Sequence, residues 1–155
     1  MSIEKVRNYL KQFGAEERII ELPESSATVA LAADALHCEG SRIAKSISLC
    51  GNNGDCILIV TAGDRKIDNA KFKQRFGCKA KMLPINDVEN IVGHAVGGVC
   101  PFAVNSGVKI YLDDSLKRFT TVFPACGSGN SAIELNLEEL ERFSGGAEWI
   151  DVCKK

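Results

Sequence analysis

The sequence predicts an α+β fold in which one compact domain, residues 1–155, contains a mixed or antiparallel sheet flanked by helices. The chain has 155 residues, of which 45% are hydrophobic and 25% charged, enough for one domain with a sizeable core. Helix-like and strand-like segments do not alternate strictly. Two strand-like runs, IAKSISLC and CILIVTAG, flank GNNGD, a sequence typical of a hairpin turn. These observations argue against a doubly wound parallel sheet.

The first two helices are predicted from capping residues followed by apolar residues at helical spacing. The first runs from Ser2, its cap, to Gly14. Its inward-facing residues are expected to be Ile3, Val6, Leu10 and Phe13. The second begins at Ser25 or Ser26, continues through the alanine-rich ATVALAADAL and ends before Gly40. Both patterns indicate helices that pack one face against a core.

Three further helices are predicted at residues 68–77, 86–93 and 136–143. The first is capped by Asp68 and closed by Gly77. The second, NDVENIVG, is a capped helix whose inward-facing residues are expected to be Val88, Ile91 and Val92. In the third, Asn136 and Glu139 have the spacing of a capping box.

Strands are predicted where apolar runs lie between turn-forming residues. The run of residues 56–63 is apolar almost throughout and is expected to be central in the sheet. The other strands are expected at residues 17–22, 43–50, 79–83, 108–113, 120–126, 131–135 and 148–152. Residues 114–119 are expected to form a turn or a short helix.

Charge and cysteine content narrow the function classes. The formal net charge of −1 gives no overall attraction to nucleic acid, so such a partner would need a local basic patch. Seven scattered cysteines without a CxxC pair, and two histidines, argue against a disulfide framework or a structural zinc site. The N-terminus is patterned as an amphipathic helix rather than a signal peptide, and no segment resembles a membrane span. We therefore expect a cytoplasmic protein with reduced thiols, no cofactor or metal, and no membrane or DNA partner.

The stretch GHAVGGVCPF, residues 93–102, is expected to be an irregular loop whose backbone can approach a ligand closely. Consecutive N–H groups there could hold an anion or a polarised carbonyl oxygen. The alternative interpretation is an ordinary connection between a helix and a strand. Cys100 and His94 could also form a nucleophile and its base. No third residue orients that pair, so a semi-buried thiol beside a loop histidine is the simpler interpretation.

Two other segments have polar or basic character. In PACGSGNSAIEL, Ser128, Asn130 and Ser131 could bind a small polar substrate, or the segment could be an ordinary turn. Between Asp64 and Lys81, seven basic residues stand against two acidic ones. Such a patch would attract a phosphate backbone. It could equally be a solvated helix face beside a strand edge protected by lysines.

Lys45 falls in phase with the large aliphatic residues of IAKSISL. In a strand, Lys45 shares one face with Ile43, Ile47 and Leu49. An unpaired ammonium is costly to bury. Lys45 therefore either extends to water or lines a cavity that favours a positive charge.

Together, Lys45 in IAKSISL, the GHAVGGVCPF loop and the ACGSGNSAIEL segment resemble the YbaK/prolyl-tRNA synthetase-associated editing domains in order and spacing. The SSATVALAADAL helix is similar to the family's threonine- and alanine-rich segment, and the similarity covers nearly the whole chain. Members hydrolyse the ester of mischarged aminoacyl-tRNA, often on tRNA for proline, as synthetase insertions or as freestanding proteins. The resemblance implies a compact α+β domain with a curved, barrel-like mixed sheet.

The resemblance also implies roles for individual residues. Lys45 matches the functional lysine that helps to hold the 3′-terminal adenosine or its phosphate. GGVCP, containing Gly97, Gly98 and Pro101, matches the loop that positions the aminoacyl carbonyl and stabilises the oxyanion. Water attacks with help from the ribose hydroxyl, so no protein nucleophile is expected. Other expected substrate-binding residues are Ser25, Ser26, Thr28, Ser46, Val99, Cys100, Gly127, Ser128 and Asn130. Contacts with tRNA are expected from Arg65, Lys66, Lys71, Lys73, Arg75 and Lys79.

This sequence departs from its relatives at two places. Ser46 stands where many relatives carry threonine, and Ala132 lies near the place where some carry an acidic residue. The second departure means that a catalytic or selectivity role cannot be transferred from those relatives to this position.

Three functions are weighed. The leading one is a freestanding hydrolase that removes alanine, serine, threonine or cysteine from tRNA for proline or a similar tRNA, a task suited to a size-selective pocket. Its partner is aminoacyl-tRNA, with a synthetase as a second candidate. The alternative is a non-catalytic module of the same fold that binds tRNA or a synthetase. A hydrolase with Cys100 as its nucleophile ranks last.

Overall fold

The computed structural model describes residues 2–51 and 54–154. Asn52 and Asn53, at the tip of the predicted hairpin, lie outside the described residues. The side chain of Ser2 is not described either, so the predicted helix cap at Ser2 also lies outside the described part of the chain.

The fold is built on a strongly curled, half-barrel mixed sheet of six strands, in the order β7-β5-β2-β3-β4-β8. Two short strands, β1 and β6, form a second antiparallel pair. In chain order the strands are β1 (Ile20–Glu21), β2 (Ile43–Cys50), β3 (Cys56–Ala62), β4 (Val108–Asp113), β5 (Thr121–Pro124), β6 (Ser131–Ala132), β7 (Leu135–Asn136) and β8 (Glu148–Ile150). With the helices around this sheet, the predicted α+β class is confirmed.

The antiparallel hairpin of β2 and β3 forms the centre of the sheet. Its register runs from Ala44 opposite Ala62 to Cys50 opposite Cys56. Every residue of β3 is buried, which confirms the prediction of a central apolar strand. β4 pairs with β3 in parallel, and β5 pairs with β2 in parallel. The hairpin therefore carries a parallel neighbour on each side.

Five α-helices surround the sheet: α1 (Ser2–Leu10), α2 (Val29–Leu36), α3 (Asn69–Phe76), α4 (Ile85–Val92) and α5 (Leu137–Phe143). The predicted caps of α3 and α5 are confirmed, since Asp68 accepts hydrogen bonds from the first turn of α3 and Asn136 forms a capping box with Glu139. A 3-10 turn extends α1 to Phe13, and Gly14 closes it with a φ of +68°.

Two helix starts were predicted wrongly. α2 is capped by Thr28, whose side chain accepts from the Leu31 N–H, rather than by Ser25 or Ser26. The serines instead approach the Gly129 carbonyl. α4 begins at Ile85 after Pro84 and has no side-chain cap. Val88 and Val92 are buried as expected, but Ile91 is 40% exposed.

Three of the predicted strands are shortened, replaced by a bridge or divided in the structure. Residues 16–18 form a 3-10 turn, so the first strand contains only Ile20 and Glu21. Residues 79–83 form a single bridge, Leu49 with Met82, rather than a strand. The segment 131–135 is divided between β6 and β7, which pair with different partners. In the described part of the chain, no helix has the length and apolar character needed to cross a membrane.

Candidate active site

A cavity opens at a gap in the pairing of β2. On the side of β2 away from β3, β5 pairs only with Ile43 and Ala44. Farther along, Ser48 O accepts from Leu83 N at 3.1 Å and Cys50 N donates to Lys81 O at 2.8 Å. The stretch 45–47 lies between these two partners. A cavity of about 350 Å³ occupies this gap, a size suited to a small ligand.

Four parts of the chain form the walls of the cavity. They are the start of α2 with the residues before it, the segment from Met82 to Val88, the loop residues Val96 to Val99, and the region around β5 and β6. Apolar side chains dominate these walls. β2 also lines the cavity, and the polar side chains of the whole lining are Ser26, Thr28, Lys45, Ser46, Ser48 and Ser131.

Lys45 is the cationic side chain of this cavity. It is half-buried, and its Nζ donates to the Gly63 carbonyl at 3.4 Å. Burial lowers the pKa of the Lys45 ammonium below its ordinary value, and nearby Cys153 and Asp64 oppose this shift. A partly desolvated ammonium gains more from an anionic ligand than one in water does. Lys45 therefore lines a cavity rather than extending into bulk solvent.

Gly63 allows α2 to lie close to the end of β3. A Cβ at this position would lie 2.1 Å from the Gly40 carbonyl oxygen and 2.9 Å from Val29 Cγ1. No side chain fits in that space. The approach places the first turn of α2 near Lys45 and closes one side of the cavity.

The loop of residues 93–102 borders the cavity through Val96, Gly97 and Val99. Gly97 has a φ of +96°, a backbone conformation that favours glycine, and a Cβ there would lie 3.2 Å from Ala27 Cβ. Gly98 faces away from the cavity. A Cβ on Gly98 would lie 2.6 Å from Gly127 C and Ser128 N. Two backbones are therefore in direct contact behind the cavity wall.

The second loop, residues 126–130, supports the site from behind. Its Gly129 carbonyl accepts from Ser26 N at 2.6 Å, and its Asn130 carbonyl accepts from Leu22 N at 2.7 Å. Ser128 Oγ lies 2.6 Å from Ser131 Oγ. These bonds join the loop to the residues before α2 and so fix the entrance of that helix.

Cys100 and His94 do come together, but in the core. Cys100 Sγ lies 3.6 Å from His94 Nε2, and His94 Nε2 donates to Phe102 O at 2.7 Å. Both side chains are fully buried, and neither lines the cavity. Burial raises the pKa of the Cys100 thiol to about 12 and lowers the pKa of His94. A neutral buried thiol is a poor nucleophile, so the geometry argues against a Cys–His hydrolase.

The predicted site residues divide into two groups. Those that line the cavity are Ser26, Thr28, Lys45, Ser46, Gly97 and Val99. Those that do not are Ser25, Gly98, Cys100, Pro101, Gly127, Ser128 and Asn130. Most of the second group belong to the two loops that meet behind the wall. Their described contacts join these two loops to each other and to the residues before α2.

Sequence reasoning missed the apolar floor and rim of the cavity. Phe123, Leu83 and Val88 contribute buried surface, and Met82, Ile85 and Val96 are exposed at 61%, 76% and 61%. Ser48 was also missed, although it lies two residues from Ser46 and alternation would place it on the same face. Exposed aliphatic residues around a cavity mouth leave no periodic signal in the sequence.

The six basic residues expected to contact tRNA lie outside the cavity. Three form ion pairs: Arg65 with Asp64 at 3.9 Å, Lys71 with Asp151 at 3.0 Å and Arg75 with Glu148 at 2.8 Å. The side chains of Lys66, Lys73 and Lys79 are exposed. Fewer basic side chains are therefore open to a new partner than the number of basic residues in the sequence suggests.

Comparisons with known sequences give a matching family model and a relative of similar length. A family model described as the aminoacyl-tRNA editing domain matches residues 23–143. The uncharacterized protein YwhH of Bacillus subtilis (strain 168) is 54% identical over 154 residues, which cover 99% of this chain and 98% of that protein.

Solved structures reproduce the fold over the whole chain. A protein described as a candidate trans-editing enzyme for prolyl tRNA synthetase is 28% identical, with a TM-score of 0.88 over 99% of this chain and 98% of that chain. The hypothetical protein APE2540 is 27% identical, with a TM-score of 0.86 over 97% and 99% of the two chains. The editing family implies aminoacyl-tRNA as substrate. This chain belongs to the aminoacyl-tRNA editing domain family, the YbaK family that its sequence motifs resemble.

Proposed function

We propose that this protein is a freestanding deacylase that hydrolyses mischarged aminoacyl-tRNA carrying a small amino acid, on tRNA for proline or a similar tRNA. The observation that carries the proposal is the position of Lys45, a partly desolvated ammonium that lines a small cavity beside the Gly97 loop. Family membership and the similarity to a candidate trans-editing enzyme support the same reaction class.

In the proposed reaction, the 3′ end of the tRNA enters the cavity as an ester. Lys45 holds the terminal adenosine or its phosphate, and the loop from Gly97 to Pro101 positions the ester carbonyl and stabilises the developing oxyanion. Water adds to the carbonyl carbon with help from the neighbouring ribose hydroxyl. The ester C–O bond then breaks, which releases the amino acid and leaves a free hydroxyl on the ribose. No protein nucleophile is needed, in keeping with the burial of Cys100.

Selection for a small amino acid would depend on the cavity walls. The cavity has a volume of about 350 Å³, which the amino acid shares with part of the terminal nucleoside. Synthetases separate near-isosteric small side chains poorly by binding alone, so a second size-selective pocket is an effective correction. Alanine, serine, threonine and cysteine are the candidates.

Contacts with the acceptor stem are proposed for the basic region. Lys66, Lys73 and Lys79 are the best candidates because they are exposed, whereas Arg65, Lys71 and Arg75 are engaged with carboxylates. Each lysine that neutralises a phosphate steepens the salt dependence of binding by about 0.9 in the log–log slope. Replacing a contacting lysine by glutamine should therefore reduce that slope.

The test is a deacylation assay with tRNA for proline charged separately with alanine, serine, threonine, cysteine or proline. The wild type is compared with Lys45→Ala and Cys100→Ala. The proposal expects turnover of at least one small amino-acid ester, collapse of that turnover in Lys45→Ala, and survival of most of it in Cys100→Ala. Binding of every tRNA without hydrolysis would instead identify a binding module. Loss of activity only in Cys100→Ala would identify a cysteine hydrolase.

A further inference from the structure

The pairing gap in β2 leaves one residue with both of its backbone polar groups directed at the cavity. In an antiparallel ladder, alternate residues direct their N–H and C=O either toward the partner strand or away from it. Ser48 O and Cys50 N bond to the segment 81–83, on the side away from β3. By alternation, Ser46 directs its N–H and C=O to that same side.

Ser46 has no strand to pair with on that side. The pairing with β5 ends at Ala44 opposite Pro124, and the segment 81–83 bonds only from Ser48 onward. Among the described residues, no backbone group bonds to the N–H or C=O of Ser46 across the gap. The side-chain oxygen Ser46 Oγ is buried and also has no hydrogen-bond partner in the described chain. Polar groups of a folded chain that lack a protein partner bond to water or to a ligand. A donor and an acceptor without a protein partner beside this cavity therefore form a site that a ligand can occupy.

The ligand that complements these two groups is another amino-acid residue. Two residues that face each other in a bonded antiparallel pair exchange an N–H and a C=O in both directions. An aminoacyl ester carries both required groups on one carbon, an α-ammonium that donates and a carbonyl oxygen that accepts. Adding an extended segment to an exposed strand edge is a common mode of peptide recognition.

We propose that Ser46 is the positioning residue for the aminoacyl group: its N–H donates to the ester carbonyl oxygen, and its C=O accepts from the α-ammonium. The inference rests on the proposed function, because it assigns the orientation of the substrate in that cavity. It separates two tasks. The Ser46 backbone binds the α-ammonium and the ester carbonyl, which all α-amino acid esters with a primary amine share. The apolar walls limit the size of the amino-acid side chain.

The test uses two stable amide analogues of the substrate and NMR of the labelled protein. One is 3′-alanylamino-3′-deoxyadenosine, and the other is the 3′-propionylamino compound, which lacks the α-ammonium. The alanyl compound is expected to shift the Ser46 amide proton downfield and to slow its exchange with solvent. A hydrogen bond from a charged donor contributes about 1.5–3 kcal/mol, so the propionyl compound should bind about tenfold more weakly, or worse.

Two variants separate the backbone from the side chain. Ser46→Pro removes the N–H at a strand edge, where proline is tolerated, and Ser46→Ala removes only the hydroxyl. Ser46→Pro should weaken binding of the alanyl compound at least about tenfold more than Ser46→Ala does, with folding checked by thermal unfolding. If Ser46→Pro does not fold, the NMR titration of the wild type with the alanyl and propionyl compounds still tests the proposal.

The outcomes distinguish this inference from the function on which it rests. An unmoved Ser46 amide overturns the inference, whether the alanyl compound shifts other amides or shifts none. Equal affinity for the two compounds also overturns it, as does an equal loss in Ser46→Ala and Ser46→Pro. A shifted Ser46 amide in a protein that hydrolyses no ester overturns the proposed function while the assigned contact stands.

Discussion

The two sides of the loop 93–102 differ in what they can do, although they belong to one short segment. Gly97 and Val99 face the cavity beside Lys45. His94 and Cys100 face the core, where they are fully buried. Burial shifts the pKa of Lys45 and of His94 downward and that of Cys100 upward. Only Lys45 is placed where its charge can meet a ligand, so accessibility decides which perturbed group is a candidate for function.

The comparison also shows how the buried side supports the open side. His94 bonds to the Phe102 carbonyl, and Gly98 contacts the backbone at Gly127 and Ser128. These contacts fix the loop at both ends and in its middle. Gly97 is therefore held in place by contacts among residues that do not line the cavity.

The largest effect is expected from Lys45→Ala. Removing one preorganised charge from a site of this kind typically lowers turnover by about 100-fold or more. The matched control is Lys109→Ala, because Lys109 is also a strand lysine but is exposed and pairs with Asp55. Single-turnover deacylation with thermal unfolding of each variant measures the effect. Equal losses of activity in both variants would show that a lysine lining the cavity matters no more for turnover than a lysine on the surface.

Gly97→Ala should reduce both stability and activity. An alanine with a positive φ costs about 1–2 kcal/mol, and its Cβ would also press on Ala27. Gly107 has a similar φ of +90° and open space around its Cα, so Gly107→Ala is the control for backbone strain alone. Both variants should unfold at a lower temperature than the wild type, Gly97→Ala at least as much as Gly107→Ala, while only Gly97→Ala loses activity. A loss of activity in both would mean that the loop has no special position at the cavity.

Cys100→Ala should affect stability more than activity. Removing a buried sulfur leaves a small void that costs about 1 kcal/mol, and the thiol is not at the cavity. Urea unfolding and the deacylation rate, measured on the same preparation, separate the two effects. A folded Cys100→Ala protein with no activity would show that the thiol takes part in the reaction.

The smallest effect is expected from the titration of His94. Burial lowers the pKa of His94 in the folded protein, so the unfolded chain takes up a proton first as the pH falls. The stability contributed by neutral His94 is complete above the ordinary histidine pKa of about 6.5 and declines below it. His94→Gln should flatten this decline. The measurement is the unfolding free energy of the wild type and of His94→Gln between pH 5 and pH 8. Identical pH profiles for the two proteins would contradict this prediction.

Much of the fold could be predicted from local patterns. Asp68 and Gly77 bound α3, and Asn136 with Glu139 begins α5, because caps depend on residues that are close in sequence. The apolar run of β3 predicted its central place. The starts of α2 and α4 were less predictable, because two serines and a threonine precede α2 and a proline precedes α4, which has no side-chain cap.

The candidate site could be predicted only in part. The lysine in an aliphatic strand and the cluster of glycines each left two interpretations open, and the family resemblance assigned Lys45 and the glycine loop to the site. The cavity itself depends on where β5 separates from β2 after Ala44, which is a property of the whole sheet. The close approach at Gly63 and the exposed rim at Met82 and Ile85 also depend on packing between distant segments. No local pattern contains that information.

The central claim is that Lys45 and the Gly97 loop enclose the esterified end of the tRNA. A crystal structure with 3′-alanylamino-3′-deoxyadenosine bound tests it most directly. The account predicts the alanyl group in the cavity at the β2 gap, with Lys45 Nζ within hydrogen-bond distance of the nucleoside and the Gly97 loop beside the carbonyl. An analogue bound on the surface of α3, or anywhere that leaves this cavity and Lys45 without contact, would contradict it.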